Sequence, residues 1–261
     1  MRMEEIVSNY SISKSSMDDE QLDELYEKVT SSKGIENKEL DTIFKLGLKD
    51  RDLFPGIREP KGGLTEEEYL QRWIDKYLSA LSNPPSKRIA EKKKTCSDPA
   101  LKRIVKKTMS LSDDDANNAE MYHNLFMAAE NVQGNLLEEY IAGEIKAFGW
   151  IWCQGSCLRA IDFCKDDGSV LLQIKNKYNT ENSSSSAIRD GTSIKKWYRL
   201  KDKTIKGIKY PSFNWDALNE LINNHLDEDC SDTCEMTEDT YAAFLDKVIS
   251  SNKQLIKESK K

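Results

Sequence analysis

Apolar residues recur at helical spacing over most of the first 150 residues of the chain. This spacing predicts helices over residues 18–30, 39–48, 65–81, 116–131 and 134–148. Thr65 and Ser112 stand where helix N-caps are expected, and Gly149 suits the position after a last turn. The prolines that follow residue 83 end the third helix, and the basic stretch 86–109 predicts two short helices. The N-terminal region is therefore predicted to be mainly helical.

The pattern changes after Gly149, where short apolar runs alternate with turn residues. Strands are predicted over 150–154, 158–163 and 169–177, and the turn Lys165-Asp166-Asp167-Gly168 joins the last two as a hairpin. Helices follow over 213–226 and 237–249, the second capped by Thr237. We expect an α/β fold, with a mixed β-sheet flanked by helices over residues 131–261 and a mainly helical region over 1–130. The region 1–130 is assigned either to DNA contact or to dimerisation.

The hairpin carries the chemistry that distinguishes this chain. Asp162 ends its first predicted strand, and about ten residues separate it from Gln173. Side chains alternate along a strand, so Gln173, Lys175 and Lys177 share one face. This is the spacing of the PD-(D/E)xK nucleases. In that motif an acidic residue is followed, after a stretch of about this length, by a polar residue, any residue and a lysine. Taken alone, this motif is weak, and a surface hairpin with an unrelated Asp and Lys carries the same pattern.

A divalent cation is the natural partner of such a site. Mg²⁺ prefers hard oxygen ligands and takes only one or two carboxylates. We expect Asp162 to be the main ligand, with the carbonyl of Ile174 and the amide oxygen of Gln173 beside it. Lys175 would position or deprotonate the attacking water and neutralise developing charge. Glu138, from the preceding helix, is the candidate second carboxylate, because Gln173 is neutral where the nuclease pattern has Glu.

The residues from Gln173 to Thr192 read QIKNKYNTENSSSSAIRDGT. With this run, the region from about Gly134 to Tyr210 resembles the type II restriction endonucleases of the SinI kind, which cut GGWCC, and their relatives that cut GGNCC. The resemblance implies an Mg²⁺-dependent, sequence-specific endonuclease of double-stranded DNA that acts as a homodimer. It also implies a cognate DNA methyltransferase that protects the same sequence. No resemblance is evident in the first 130 residues.

Polar and basic residues after the catalytic strand are candidates for contact with DNA. Arg189 suits either bidentate contact with guanine or contact with a phosphate. Some of the serines also suit helix caps. A short helix capped by Thr192 or Ser193 would present lysines to phosphates, whereas Trp197 is assigned to the core. The candidate DNA contacts are Lys177, Asn179, Glu181, Asn182, Ser183, Ser184, Ser185, Arg189, Lys195, Lys196 and Arg199.

Charge, hydropathy and cysteine usage bear on the binding partner, the cellular location and the possibility of disulfides or zinc. The net charge is −6, but basic and acidic residues are segregated along the chain, which permits a basic groove on an acidic molecule. No apolar run approaches the roughly 20 residues of a membrane span, and the N-terminus lacks a signal core, so a cytoplasmic location is expected. The six cysteines do not indicate a disulfide scaffold. The pairs Cys153/Cys157 and Cys230/Cys234 have spacing that zinc permits, without the usual knuckles.

Three hypotheses follow from these patterns. The first is a type II restriction endonuclease. The second is a repair or structure-selective nuclease on the same core. The third is a non-catalytic DNA-binding module, in which Gln173 marks an inactive site.

Overall fold

The computed structural model describes residues 9–91, 97–177, 193–228 and 230–257. The chain forms two compact units, Met1–Asn83 with Ala142–Met236, and Pro84–Ile141 with Thr237–Lys261. The functional division that the sequence predicts at residue 130 stays a prediction. In the described part of the chain, no helix has both the length and the apolar character needed to cross a membrane.

In the described part of the chain, helices predominate before residue 146 and strands predominate between residues 150 and 213. The helices are α1 (Asp19–Ser32), α2 (Lys38–Lys49), α3 (Glu66–Ser82), α4 (Pro99–Thr108), α5 (Asp113–Ile145), α6 (Trp215–Asn223) and α7 (Glu238–Ser251). The strands are β1 (Asn9–Tyr10), β2 (Ile57–Arg58), β3 (Ala90–Glu91), β4 (Trp150–Trp152), β5 (Phe163–Lys165), β6 (Leu171–Lys177), β7 (Lys195–Ile205), β8 (Ile208–Phe213) and β9 (Ile256–Lys257). The prediction of a mixed α/β fold is confirmed.

A five-stranded sheet in the order β4-β5-β6-β7-β8 forms the centre of the first unit. Its strands pair in antiparallel fashion except for β6 and β7, which are parallel. Phe163 pairs with Leu172 across the predicted β5–β6 hairpin, and Gly168 adopts the left-handed conformation of its turn, with φ 72°. The parallel pairing needs a crossover between β6 and β7. In this pairing Gln173 lies beside Lys196 and Lys175 beside Tyr198, so polar residues of β6 and β7 share one face of the sheet.

Helices α1 to α3 pack around a group of aromatic rings in the same unit. Tyr26 stacks on Phe44 with ring centroids 4.0 Å apart, and Trp73 packs edge-on against both. The indole N–H of Trp73 donates to the carbonyl of Cys157 at 2.8 Å. This bond ties α3 to the segment that leads into β5, so the helical layer supports the strand that follows Asp162.

Local capping explains where these helices begin. Thr65 and Glu68 form a reciprocal capping box at α3, and Thr237 and Thr240 do the same at α7. The hydroxyl of Ser112 accepts from the N–H of Asp115 at 3.1 Å and donates to its carboxylate at 2.6 Å. The predicted caps at Thr65, Ser112 and Thr237 are confirmed.

Several predicted elements differ from the structure. The helices expected over 116–131 and 134–148 are one helix, α5, of 33 residues, because Gly134 lies within it without ending it. A helical glycine costs only about 1 kcal/mol relative to alanine, which packing elsewhere along the helix can offset. The strand expected over 158–163 is also wrong. Residues 154–156 form a short 3-10 helix and 157–160 form turns, in which Ala160 has φ 63°, and β5 begins only at Phe163.

Candidate active site

Asp162 lies immediately before β5 and is fixed by bonds to both neighbouring strands. Its N–H donates to the carbonyl of Leu172 at 2.9 Å, and its carbonyl accepts from the N–H of Cys153 at 2.9 Å. The backbone at Asp162 is thus held in the sheet although it lies outside the assigned strand. Its side chain is half-buried.

The Asp162 carboxylate is directed at the middle of the predicted Gln-x-Lys motif. Its Oδ2 accepts a hydrogen bond from the backbone N–H of Ile174 at 2.7 Å. Ile174 stands between Gln173 and Lys175 on β6, so the structure brings the three predicted residues together. The N–H and C=O of one strand residue project toward the same side of the strand. The carbonyl of Ile174 therefore points to the side of β6 on which Asp162 lies.

Gln173 and Lys175 differ in their exposure. The side chain of Gln173 is buried, whereas that of Lys175 is half-buried. In the parallel pairing with β7, Gln173 lies beside Lys196 and Lys175 lies beside Tyr198. Paired residues on adjacent strands share a face, so Lys196 and Tyr198 extend the polar face of β6. Sequence analysis missed Tyr198 because its position depends on a pairing between distant segments.

The short helix predicted for Lys195, Lys196 and Arg199 is wrong, because all three lie on β7. The two lysines are exposed, but Arg199 is only 9% exposed. Its Nε donates to Oδ1 of Asn176 at 2.9 Å, and its guanidinium carbon lies 5.2 Å from the centroid of the Phe213 ring. Arg199 thus has contacts that hold it within the sheet, and its predicted phosphate contact stays a prediction. Lys177, at the end of β6, is exposed on the face of Lys175.

Several predicted DNA contacts cannot be placed. Residues 178–192 lie outside the described residues, and they include Asn179, Glu181, Asn182, Ser183, Ser184, Ser185 and Arg189. Their roles stay predictions.

Glu138 lies on α5 and is half-buried. It belongs to the second unit, whereas Asp162, Gln173 and Lys175 belong to the first. Its role as a second carboxylate stays a prediction. Its neighbour Glu139 accepts hydrogen bonds from the N–H of Ser86 at 2.7 Å and from its hydroxyl at 2.5 Å.

The oxygen donors around Asp162 fit a hard divalent cation that is bound by few protein ligands. The described residues contain no group of three or more His, Cys, Asp or Glu side chains that could hold a metal ion. A cation here would take one carboxylate oxygen of Asp162, the carbonyl of Ile174, the amide oxygen of Gln173 and several waters. Mg²⁺ binds proteins in this way, through few carboxylates and retained waters.

The cysteines of the first unit fit a packed core better than zinc. Cys153, Cys157 and Cys164 are buried, with the sulfurs of Cys153 and Cys164 3.8 Å apart. Hydrogen bonds with the Cys157 and Cys164 thiols, together with burial, raise the pKa of Cys153 well above its usual range. Zinc requires thiolates, which this environment disfavours. Trp197 is buried with its ring centroid 5.1 Å from that of Trp215, so its assignment to the core is confirmed.

A buried lysine at the opposite end of the hairpin is a feature that sequence analysis missed. The ammonium group of Lys165 lies 3.1 Å from Asp227, 3.3 Å from Asp166 and 3.1 Å from the carbonyl of Phe148. Burial alone lowers the pKa of Lys165, but its bonds with Asp227 and Asp166 outweigh burial and raise it above the usual value. Gly149 makes room for this group, since a Cβ there would lie 2.3 Å from the lysine nitrogen.

Replacing Lys165 with methionine is expected to lower the free energy of unfolding at pH 8 by about 1–3 kcal/mol, because the hydrogen bonds of the buried ammonium group to Asp227, Asp166 and the carbonyl of Phe148 are lost. The raised pKa means that this contribution is present below about pH 10.4 and is lost as pH rises through the folded-state value. Denaturant unfolding at several pH values measures it, with Lys45→Met on the exposed face of α2 as the control. A difference from wild type that persists unchanged above that pH would contradict the assignment.

The mixed sheet, with Asp162 held against the strand of Gln173 and Lys175, defines a restriction-endonuclease-like core. Comparison with known proteins identifies the family. The model of the SinI restriction endonuclease family matches residues 65–233, and the chain belongs to this family. It is 34% identical to the type II restriction enzyme SinI of Salmonella infantis over 211 residues, which cover 74% of this chain and 84% of that protein. It is also 34% identical to the type II restriction enzyme Eco47I of Escherichia coli over 208 residues, with the same coverage.

The family match confirms the resemblance drawn from the residues between Gln173 and Thr192 and makes site-specific deoxyribonuclease the class of this chain. It also corrects the extent of that resemblance. The match begins at residue 65, so α3, α4 and the first half of α5 belong to the region shared with the family. The family match therefore extends over residues 65–130, where no resemblance is evident from the sequence.

Proposed function

We propose that this chain is a sequence-specific endonuclease that hydrolyses phosphodiester bonds of double-stranded DNA with Mg²⁺ at the site of Asp162, Gln173 and Lys175. The observation that carries the proposal is the 2.7 Å bond from the N–H of Ile174 to the Asp162 carboxylate. It brings a carboxylate, a backbone carbonyl and the polar-x-Lys strand to one place. This is the arrangement that the nuclease spacing requires.

Each residue of the site has a separate task. Asp162, the Ile174 carbonyl and Gln173 would hold the cation, which when bound supplies positive charge to the reacting phosphate and lowers the pKa of water. Lys175 positions or deprotonates the attacking water, and its positive charge stabilises negative charge that develops on the phosphate. The sheet bonds of Asp162 keep its carboxylate oriented without help from the substrate.

Gln173 distinguishes this site from the commoner nuclease pattern. A buried amide contributes an oxygen ligand without a charge, so the first unit supplies one carboxylate where the pattern has two. We propose that Glu138 supplies the second. An alternative in which Gln173 marks an inactive site predicts DNA binding without cleavage.

The metal requirement tests this proposal. Cleavage of plasmid DNA by the purified protein should rise with Mg²⁺ concentration and stop when EDTA is added. In Glu138→Gln, the Mg²⁺ concentration needed for half-maximal cleavage should rise. Cleavage that continues in EDTA would contradict the assignment of the site.

We further propose that the recognition sequence is of the GGNCC kind, and that a methyltransferase in the same system protects it. Support comes from the resemblance between residues 173 and 192 and the restriction enzymes that cut such sequences. A cytoplasmic location is part of this proposal, because the DNA to be cut enters the cell.

A near-palindromic sequence is recognised most simply by a two-fold symmetric protein, so we propose a homodimer. The second unit has a surface suited to this role. Lys106 and Asp113 form an ion pair of 2.6 Å between α4 and α5, and the outside of this helix pair is unusually apolar. Its exposed side chains are Leu101, Ile104, Met109, Met121, Tyr122, Leu125, Phe126 and Met127. Monomeric proteins rarely expose an apolar patch larger than about 300–600 Å².

Replacing Phe126, which is 70% exposed, with serine is expected to shift the protein from dimer to monomer. Loss of one buried aromatic side chain at an interface commonly weakens association by about 2 kcal/mol or more. Light scattering over a range of protein concentrations measures this shift. Leu81→Ser on α3, which changes an exposed apolar residue of the first unit, is the control. A wild-type protein that is monomeric both alone and on its DNA site would contradict the dimer.

A further inference from the structure

Strands β7 and β8 continue past the rest of the sheet as a two-stranded ribbon, residues 200–213. Leu200 pairs with Phe213 at its base and Ile205 with Ile208 at its end. Lys206 and Gly207 form the two-residue loop, both with positive φ, 49° and 79°. Two left-handed residues are typical of a type I′ turn, whose twist matches that of paired strands. Every residue from Lys201 to Pro211 is exposed, so the ribbon stands clear of the core.

The ribbon is continuous with the candidate active site. Tyr198, which lies beside Lys175, is on the same strand as the ribbon. At about 3.3 Å per residue, the seven residues from Tyr198 to Ile205 carry β7 roughly 23 Å beyond that position. A groove of about 750 Å³ follows this path. It is lined by Lys177, Tyr198, Leu200, Lys201, Asp202, Lys209, Tyr210 and Pro211.

The ribbon carries both basic and apolar exposed side chains, which suit a polyanion that also offers apolar groups for contact. Lysines occur at positions 201, 203, 206 and 209, and the ribbon's acid, Asp202, pairs with Lys209 at 2.9 Å. Between the lysines, Tyr210 is 46% exposed, Ile205 46% and Ile208 58%. The cross-strand pairs Lys203–Tyr210 and Ile205–Ile208 place basic, aromatic and apolar side chains on one face of the ribbon, opposite to the face that carries Tyr198 and Asp202. A second copy of the ribbon would meet this face with like charge, which disfavours self-association.

We propose that the β7–β8 ribbon enters the major groove of the DNA beside the bond that is cut, an inference that rests on the proposed function. The major groove is about 12 Å wide and admits a two-stranded ribbon. In this position Lys203 and Lys206 contact phosphates, and Tyr210 contacts base edges or thymine methyl groups. The ribbon thus contributes to recognition in addition to residues 178–192.

The test compares two double variants that lose the same charge. Lys203→Ala/Lys206→Ala alters the ribbon, and Lys45→Ala/Lys49→Ala alters exposed residues of α2. DNA affinity is measured by fluorescence anisotropy against salt concentration, without divalent cation, on a GGNCC duplex and a scrambled one. The ribbon variant should flatten the salt slope by about 2 and weaken binding at least about tenfold at 0.1 M salt. The α2 variant should match wild type.

Protection of guanine N7 from dimethyl sulfate tests the choice of groove. Wild-type protein should protect guanines in the cognate site, and Tyr210→Ser should lose protection at a subset of them while keeping its fold by circular dichroism. If the wild-type protein cuts DNA but the ribbon variants keep the wild-type salt slope and the wild-type guanine protection, the ribbon proposal is wrong and the proposed function stands. Failure of wild type to bind any duplex would overturn the proposed function as well.

Discussion

Replacing Asp162 with asparagine is expected to abolish DNA cleavage, with a loss of at least about 10³-fold in rate, while leaving the fold unchanged. The carboxylate supplies the charge that the cation requires. Asparagine has nearly the same shape, and its amide oxygen can still accept from the N–H of Ile174, which lies 2.7 Å from Oδ2 in the native site. Alanine would remove this acceptor and is expected to destabilise the protein by about 1–3 kcal/mol besides removing activity.

Binding distinguishes a catalytic role of Asp162 from a structural one. In EDTA, Asp162→Asn should bind its DNA site as tightly as wild type or more tightly, because a negative charge near the phosphates has been removed. Asp167→Asn, in the exposed turn at the other end of the hairpin, is the control and should cut normally. An Asp162→Asn protein that cuts at a rate near that of wild type would show that the metal site lies elsewhere.

Replacing Lys175 with alanine is expected to lower the cleavage rate at least about 10²-fold, the usual cost of losing a positioned group in proton transfer. Its half-buried position on β6, beside Tyr198, allows its ammonium group to act at the site while its stem packs on the sheet. Single-turnover cleavage with enzyme in excess measures the chemical step without contribution from product release.

Lys177→Ala is the matched control for Lys175→Ala, because it removes the same charge two residues further along the same face of β6. It should weaken DNA binding and leave the single-turnover rate of bound DNA unchanged. Lys175→Arg should recover binding but not the rate, since a guanidinium group keeps the charge and stays protonated. Equal rate losses in Lys175→Ala and Lys177→Ala would indicate that both lysines act only through binding.

The hairpin and its chemistry could be predicted because they depend on local features. The turn from Lys165 to Gly168 and the alternation along β6 are encoded within about fifteen residues. They place Asp162 near Gln173 and Lys175 without knowledge of the rest of the fold. The residue at which β5 begins could not be predicted from the local sequence. The 3-10 helix and turns over residues 154–160 are stabilised by α3, through the bond from Trp73 to Cys157, and the local sequence does not show that contact.

Strand β7 could not be predicted as easily, because its pairing partner β6 is parallel and distant along the chain. The sequence predicts instead a short helix that presents Lys195, Lys196 and Arg199 to phosphates. In the structure, buried Trp197 and Arg199 alternate with half-buried Tyr198, as in a strand. The local signal for a strand in the sequence is the pair of aromatic residues Trp197 and Tyr198. The burial of Lys165 likewise depends on Asp227, which follows it by 62 residues. The distinction between a solvated and a buried lysine requires the tertiary fold.

Digestion of a plasmid of known sequence by the purified protein with Mg²⁺, followed by sequencing of the fragment ends, tests the central claim most directly. We expect discrete fragments whose ends all map to one short GC-rich sequence of the GGNCC kind, and no cleavage of the same plasmid methylated at that sequence. Ends scattered over the plasmid, cleavage confined to branched or damaged DNA, or binding without any cleavage would contradict a sequence-specific restriction endonuclease.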